Sequence, residues 1–216
     1  MKRIGIGALL ALLLAACASG AANARLPYEA WRLGFLAPHY MEVWTEDAAI
    51  EDVRGRVFSG YRSGTVAVAH SGDAAGWPVT QSMGKGRYVV GADLPRRIHV
   101  RWQSLVEPQT YRITLDIPDE MRALMLEKAN SIAVPGRQEY RNAVVVGLAP
   151  GGWVKVWVKS PGSERIEALC QKAEVEPKGP DQGAHGGRYV TLPPKVKAYI
   201  DQNPVPYDSW KCPENA

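Results

Sequence analysis

Two phenylalanines, three cysteines and four histidines are all that 216 residues carry of these types. Each scarcity closes off a class of function. His39, His70, His99 and His185 are scattered, with no His-x-x-x-His spacing and no cysteine partner, so a zinc centre is not expected and no cofactor is implied. No Gly-x-Ser-x-Gly elbow exists, which removes the signature of an esterase nucleophile; the serines of Ser63-Gly64 and Ser71-Gly72 lack a recognisable base. Gly84-Lys85-Gly86-Arg87 lacks the spacing of a phosphate-binding loop and reads as a turn within a long loop over 71–87. The carboxylates Glu42, Glu46, Asp47, Glu51 and Asp52 read as a solvated charge run. No internal repeat appears. The sequence therefore predicts a protein that is not an enzyme.

What is present begins at the amino terminus. Lys2 and Arg3 precede an apolar run from Ile4 to Leu14, and Leu14-Ala15-Ala16-Cys17 follows directly. The run is too short and wrongly flanked for a transmembrane helix. It has the form of a lipoprotein signal peptide, residues 1–16, with Cys17 as the lipidated residue; the rival is an ordinary secretory signal cut after Ala22 or Ala24. Residues 17–25 are small and polar and read as a flexible tether. With Ala18 rather than Asp after the cysteine, the expected location is the outer membrane, on its periplasmic face, held by lipid. Two or more acyl chains anchor firmly without a spanning element.

Residues 26–216 are expected to form one domain. Loss of Lys2 and Arg3 from the 26 basic residues leaves 24 against 22 acidic ones. So small an excess gives no reason to expect nucleic acid as a partner. With Cys17 committed to lipid, Cys170 and Cys212 are expected to form a disulfide closing a loop of about 40 residues, contributing roughly 3–4 kcal/mol; inert thiols or a metal pair are the alternatives.

Twenty-one glycines, sixteen prolines and a supply of Trp and Tyr favour short strands and turns. Strands are expected over 31–36, 40–45 and 65–69, with a loose region over 47–64 between the last two. Strict alternation marks Arg97 to Gln103 and Thr110 to Asp116 as a hairpin. Pro118 with Asp119 and Glu120 opens a helix expected to end near Asn130. A second hairpin over 142–159 turns at Ala149-Pro150-Gly151-Gly152, pairing Val144, Val146 and Leu148 with Val154, Val156 and Val158. Helices are expected over 164–173 and 194–202, and a Gly-rich loop over 179–187. The fold class is mainly β (α+β): antiparallel, sandwich-like sheets with one or two packed helices.

Two faces carry the residue types that anchor protein interfaces. One is the stripe Trp153, Lys155, Trp157 and Lys159, which reads either as packing under a helix or as a partner site. The other is Arg97, His99, Arg101 and Arg112.

The segments Leu26-Pro27-Tyr28, Trp31-Arg32-Leu33-Gly34-Phe35, Gly76-Trp77-Pro78, Leu94-Pro95 and Val100-Arg101-Trp102-Gln103-Ser104-Leu105-Val106-Glu107-Pro108-Gln109-Thr110-Tyr111 resemble a family of proteobacterial lipoproteins, domain of unknown function 2931. The resemblance covers residues 26 to 160. It implies a periplasmic lipoprotein of uncharacterised role; the anchor, the missing catalytic motif and the two aromatic-basic faces favour a protein-binding module. Family association further implies an immunity protein that neutralises a secreted type VI lipase effector. The alternative is a structural, envelope-maintenance lipoprotein.

Overall fold

Alternating apolar residues on the strands dictate two sheets that share one core, and a computed structural model of the chain has this arrangement. It describes residues 25–66, 69–79 and 82–214; the signal peptide, Cys17 and most of the tether lie outside the described residues.

The first sheet contains β1 (Ala30–Leu36), β5 (Lys85–Val90), β10 (Ala143–Leu148), β11 (Trp153–Lys159) and β12 (Ile166–Lys172), in the order β12-β11-β10-β1-β5. The second contains β2 (Val43–Asp52), β3 (Val57–Phe58), β6 (Pro95–Ser104), β7 (Gln109–Asp116) and β13 (Glu174–Val175), in the order β13-β7-β6-β2-β3, and β4 (Gly64–Val66) also pairs with β2. Trp31, Leu33 and Phe35 of β1, Val144 and Val146 of β10 and the valines of β11 meet Ile50, Ile98, Val100, Trp102 and Leu115 of the opposing sheet. Helix α1 (Asp119–Met125) closes this core with Met121 and Met125. A small ribbon, β8 (Lys128–Asn130) with β9 (Gln138–Tyr140), and helix α2 (Pro194–Ile200) complete the elements.

Both expected hairpins form. β6 pairs Val100 with Ile113 and Trp102 with Tyr111. β10 pairs Val144, Val146 and Leu148 with Val158, Val156 and Val154. Gly151, at φ 74° and ψ 6°, takes the left-handed position that the turn requires. One pair departs from an antiparallel arrangement: β1 lies parallel to β10, with Arg32 opposite Ala143.

Five local expectations are corrected. Tyr40 does not begin a strand; it sits at φ 62° in a tight turn, and β2 instead runs from Val43 through Asp52. The expected loose region thus starts inside a strand, with Asp47 and Glu51 partly exposed and Glu46 and Asp52 buried. The long loop ends early, because Lys85–Val90 is strand β5. There Gly34 and Gly86 are paired, and a Cβ on Gly86 would lie 1.9 Å from the Leu33 carbonyl oxygen, so glycine permits the close approach. Helix α1 stops at Met125 and Lys128–Asn130 turns into strand β8. Residues 166–172 form a strand rather than a helix, pairing along β11 with Lys155 opposite Cys170; a helix there would leave β11 without an edge partner.

The disulfide is present. Cys170 and Cys212 are bonded with Cα atoms 5.5 Å apart, so the tail is fastened to the outer side of β12. Trp210 is fully buried and donates Nε1–H to the Gly76 carbonyl, which also ties the 70–79 segment to the tail. A carboxylate organises the same end. Glu107, in the β6–β7 turn, accepts the Gly151 amide at 2.9 Å and the hydroxyls of Tyr111 and Tyr207. Burial, reinforced by the Glu107 charge and hydrogen bond, pushes the Tyr207 phenol up to about 12.

Candidate functional site

Period-two alternation places Arg97, His99, Arg101 and Gln103 of β6 on the outer face of the second sheet, beside Arg112, Thr114 and Asp116 of β7. Arg101 stands directly opposite Arg112, a like-charge pair that costs energy unless neutralised. Neutralisation comes from both sides. A register shift between Thr45 and Asp47 inserts Glu46 into β2 as a bulge, and the extra residue aims its carboxylate onto this face. Glu46 accepts Arg101 Nε at 2.8 Å, Gln103 Nε2 at 2.8 Å and the Asp181 amide at 2.7 Å. Arg112 lies 3.4 Å from Glu174 and 3.6 Å from buried Glu176. Arg97 bridges Asp116 at 2.8 Å and Glu51 at 3.2 Å.

The four residues Arg97, His99, Arg101 and Arg112 are therefore brought together, within a lattice of alternating charge. Arg97 and Arg112 keep half-open side chains, whereas Arg101 is largely enclosed. His99 contacts Thr114 Oγ1 at 3.2 Å and borders a cleft of about 440 Å³ with Arg112, Gln171, Lys172 and Glu174. Burial lowers the His99 pKa below 6.5; Arg101 and Arg112 add to the depression, and Asp47 and Glu176 oppose it. One end of the face is covered: the Val190 amide donates to Gln103 Oε1, so the 176–190 segment crosses the sheet there. What remains open offers hydrogen bonds and paired charges.

The second candidate stripe lies on the outer face of the first sheet. Trp157 is 3% exposed and Lys159 1% exposed. Trp157 is covered edge-on by Trp77, 5.3 Å away, and by the Arg165 guanidinium, 4.4 Å from its ring centre. The cover thus comes from the 70–79 segment and the β11–β12 turn, not from a helix. Burial holds the Lys159 pKa below its usual value, with the Arg165 charge adding to it. Lys155 pairs with Glu167 at 3.0 Å, and Trp153 packs near Trp210 under the tail with Lys172 over its ring.

The charge run is corrected as well. Glu42, Glu46 and Asp52 are buried, at 3%, 4% and 0% exposure. Asp52 accepts the Arg54, Arg56 and Asp93 amides and the Arg56 guanidinium at 2.9–3.1 Å. Burial alone would raise its pKa, but these four donors together hold it below the usual carboxylate value. Glu42 meets His70 Nε2 at 2.6 Å, and the His70 ring stacks near Tyr40, which lies flat on Tyr199 at 3.7 Å. Sequence reasoning missed this cluster. Tyr40 and Glu42 are neighbours in sequence, but His70 and Tyr199 arrive from distant segments.

Among the described residues no group of three or more His, Cys, Asp or Glu side chains is placed to hold a metal ion, and no helix is long and apolar enough to cross a membrane.

The family model for "protein of unknown function (DUF2931)" matches residues 18–208. The chain belongs to this family. The DUF2931 match takes in both sheets, the ion-pair face and the segment that crosses it, and reaches past the 26–160 span of the initial resemblance into β12, β13 and α2. No curated protein and no solved structure matches the chain.

Proposed function

We propose that the protein is a lipid-anchored, periplasmic binding module of the outer membrane, and that it recognises a protein partner through the open part of the β2–β6–β7 face. The observation that carries this reading is the charge lattice around Arg97, His99 and Arg112. Its charges are fixed laterally by Asp116, Glu51 and Glu174, so their pattern is set before a partner arrives. A preset pattern of this kind selects partners and speeds encounter more than it adds raw affinity. The partner class follows from the family association: a secreted lipase effector, which this protein neutralises as an immunity protein. Tethering at the attacked membrane raises the effective concentration of such an inhibitor.

Affinity capture of the tagged, lipidated protein from its native envelope, followed by mass spectrometry, tests the proposal. A stoichiometric secreted effector, lost when Arg97 and Arg112 are both changed to Glu, is the expected result. Recovery of envelope-assembly proteins alone, or unchanged sensitivity to the effector after gene deletion, overturns the immunity reading in favour of a structural one.

A further inference from the structure

The two edges of the sandwich differ in charge, and the residue nearest the tether lies at the basic one. Residues 53–66 contain Arg54, Arg56 and Arg62 and no carboxylate; residues 82–92 contain Lys85 and Arg87 and no carboxylate. These segments form one side of the molecule. Ser63 Oγ donates to the Lys85 carbonyl at 3.2 Å, and Lys85 Nζ donates to the Thr65 carbonyl at 2.8 Å, joining β5 of the first sheet to β4 of the second. Large apolar side chains stand exposed along the same side: Val57 at 70%, Val90 at 66% and Tyr88 at 53%. At one end Arg25 shares a cleft of about 350 Å³ with Arg54, Arg56 and Val90, where Glu29 and Asp93 also line the wall. The opposite edge, residues 164–176, carries Glu164, Glu167, Glu174 and Glu176 against Arg165 and Lys172.

We infer that the β3–β4–β5 edge is a membrane-apposed surface that docks on the anionic phospholipid headgroups of the bilayer to which the protein is anchored. The inference rests on the lipid-anchor reading. Seven residues separate Cys17 from Arg25, a span of eight Cα–Cα steps; fully extended it reaches at most about 28 Å, and as a random chain roughly 15 Å. The Arg25 end therefore stays beside the headgroups, and Arg62, Lys85 and Arg87, which have no carboxylate partner among the described residues and lie among exposed Val57 and Val90, match a negative, partly apolar interface. The acidic edge is turned to the aqueous side. Arg54 and Arg56 also hold Asp93 and Asp52, and Lys85 bridges to β4, so Arg62 and Arg87 carry the headgroup contact that is separable from the fold.

Hydrogen–deuterium exchange of the lipidated protein, reconstituted into phosphatidylcholine vesicles with and without phosphatidylglycerol, tests the inference, with intact mass reporting the acyl chains separately. The expected result is slower exchange in 53–66 and 85–92 only on vesicles containing phosphatidylglycerol, with 166–175 unchanged. Arg62→Glu with Val57→Glu, neither in an internal ion pair, is expected to cut the affinity of unlipidated Cys17→Ala protein for anionic vesicles roughly tenfold. Equal exchange on both vesicles, or protection of 166–175, overturns the docking surface even when the acyl chains are present. Absent acyl chains with phosphatidylglycerol-dependent protection intact would overturn the anchor and leave the surface standing.

Discussion

The basic edge and the acidic edge close the same sandwich by different chemistry. The β12–β13 edge is closed covalently. Cys170–Cys212 fastens a long tail across the outer side of the first sheet, and the chain itself steps from β12 in one sheet to β13 in the other. The β3–β4–β5 edge has no such link. It relies on the buried Asp52 carboxylate, on the Ser63 and Lys85 bridges, and on a glycine contact that lets β5 approach β1. A disulfide acts chiefly by restricting the unfolded chain, whereas a buried carboxylate acts through hydrogen bonds that exist only in the folded one. The two edges should therefore fail independently and under different conditions.

The strongest way to break the comparison is to remove β5. Gly86→Val sets a side chain against the Leu33 carbonyl, where a Cβ has 1.9 Å. We expect a loss of about 4–5 kcal/mol, read as a lower urea midpoint, with β5 amides exchanging freely while Cys170–Cys212 stays oxidised. The converse variant, Cys170→Ala with Cys212→Ala, opens a 42-residue separation and should cost about 4 kcal/mol. Its signature is exposure of Trp210 by fluorescence, with the Asp52 region undisturbed.

Asp52→Asn should cost about 3 kcal/mol, because the donors of Arg54, Arg56 and Asp93 lose a charged acceptor. The same group gives the basic edge an acid sensitivity. Its folded pKa lies below the ordinary 3.8, so its contribution is complete above that value and disappears as pH falls through the folded pKa. Denaturation below pH 3.8 should begin at the Asp52 edge in the wild type, and the Asn variant should lose that slope.

The smallest effect belongs to neither edge. His99, in the middle of the charged face, has a folded pKa below 6.5, so the unfolded chain takes up the proton first. Stability should decline modestly as pH drops below 6.5, towards the folded value, and His99→Gln should flatten that part of a urea-midpoint profile. A wild-type profile already flat there would show that burial, with Arg101 and Arg112, does not depress this imidazole.

Legibility followed the range of the interactions. The β6–β7 and β10–β11 hairpins were readable because alternation and a turn are local, and Cys170–Cys212 because cysteine leaves few choices. β5 was not, since Gly84 and Gly86 at its start mimic a turn unless β1 is known to lie alongside. β12 carries Ile166, Leu169 and Cys170 at helical spacing, and only the neighbouring β11 makes it a strand. Among the site residues, alternation put Arg97, His99, Arg101 and Arg112 on one face correctly. The carboxylates that neutralise them needed a bulge at Glu46 and a segment some 60 residues further on. The enclosure of Trp157 depends on Trp77 and Arg165, one of which lies far away in sequence.

The parallel pairing of β1 with β10 also has a kinetic consequence. A chain emerging amino terminus first exposes β1, the strand between β5 and β10 in its sheet, long before residues 143–148 exist to cover one of its sides. Until then Trp31, Leu33 and Phe35 have half a sheet to pack in, and folding must wait for the distant strand. Such non-local closure places refolding on the order of milliseconds to seconds. It leaves a long interval in which the chain remains an open, threadable polymer.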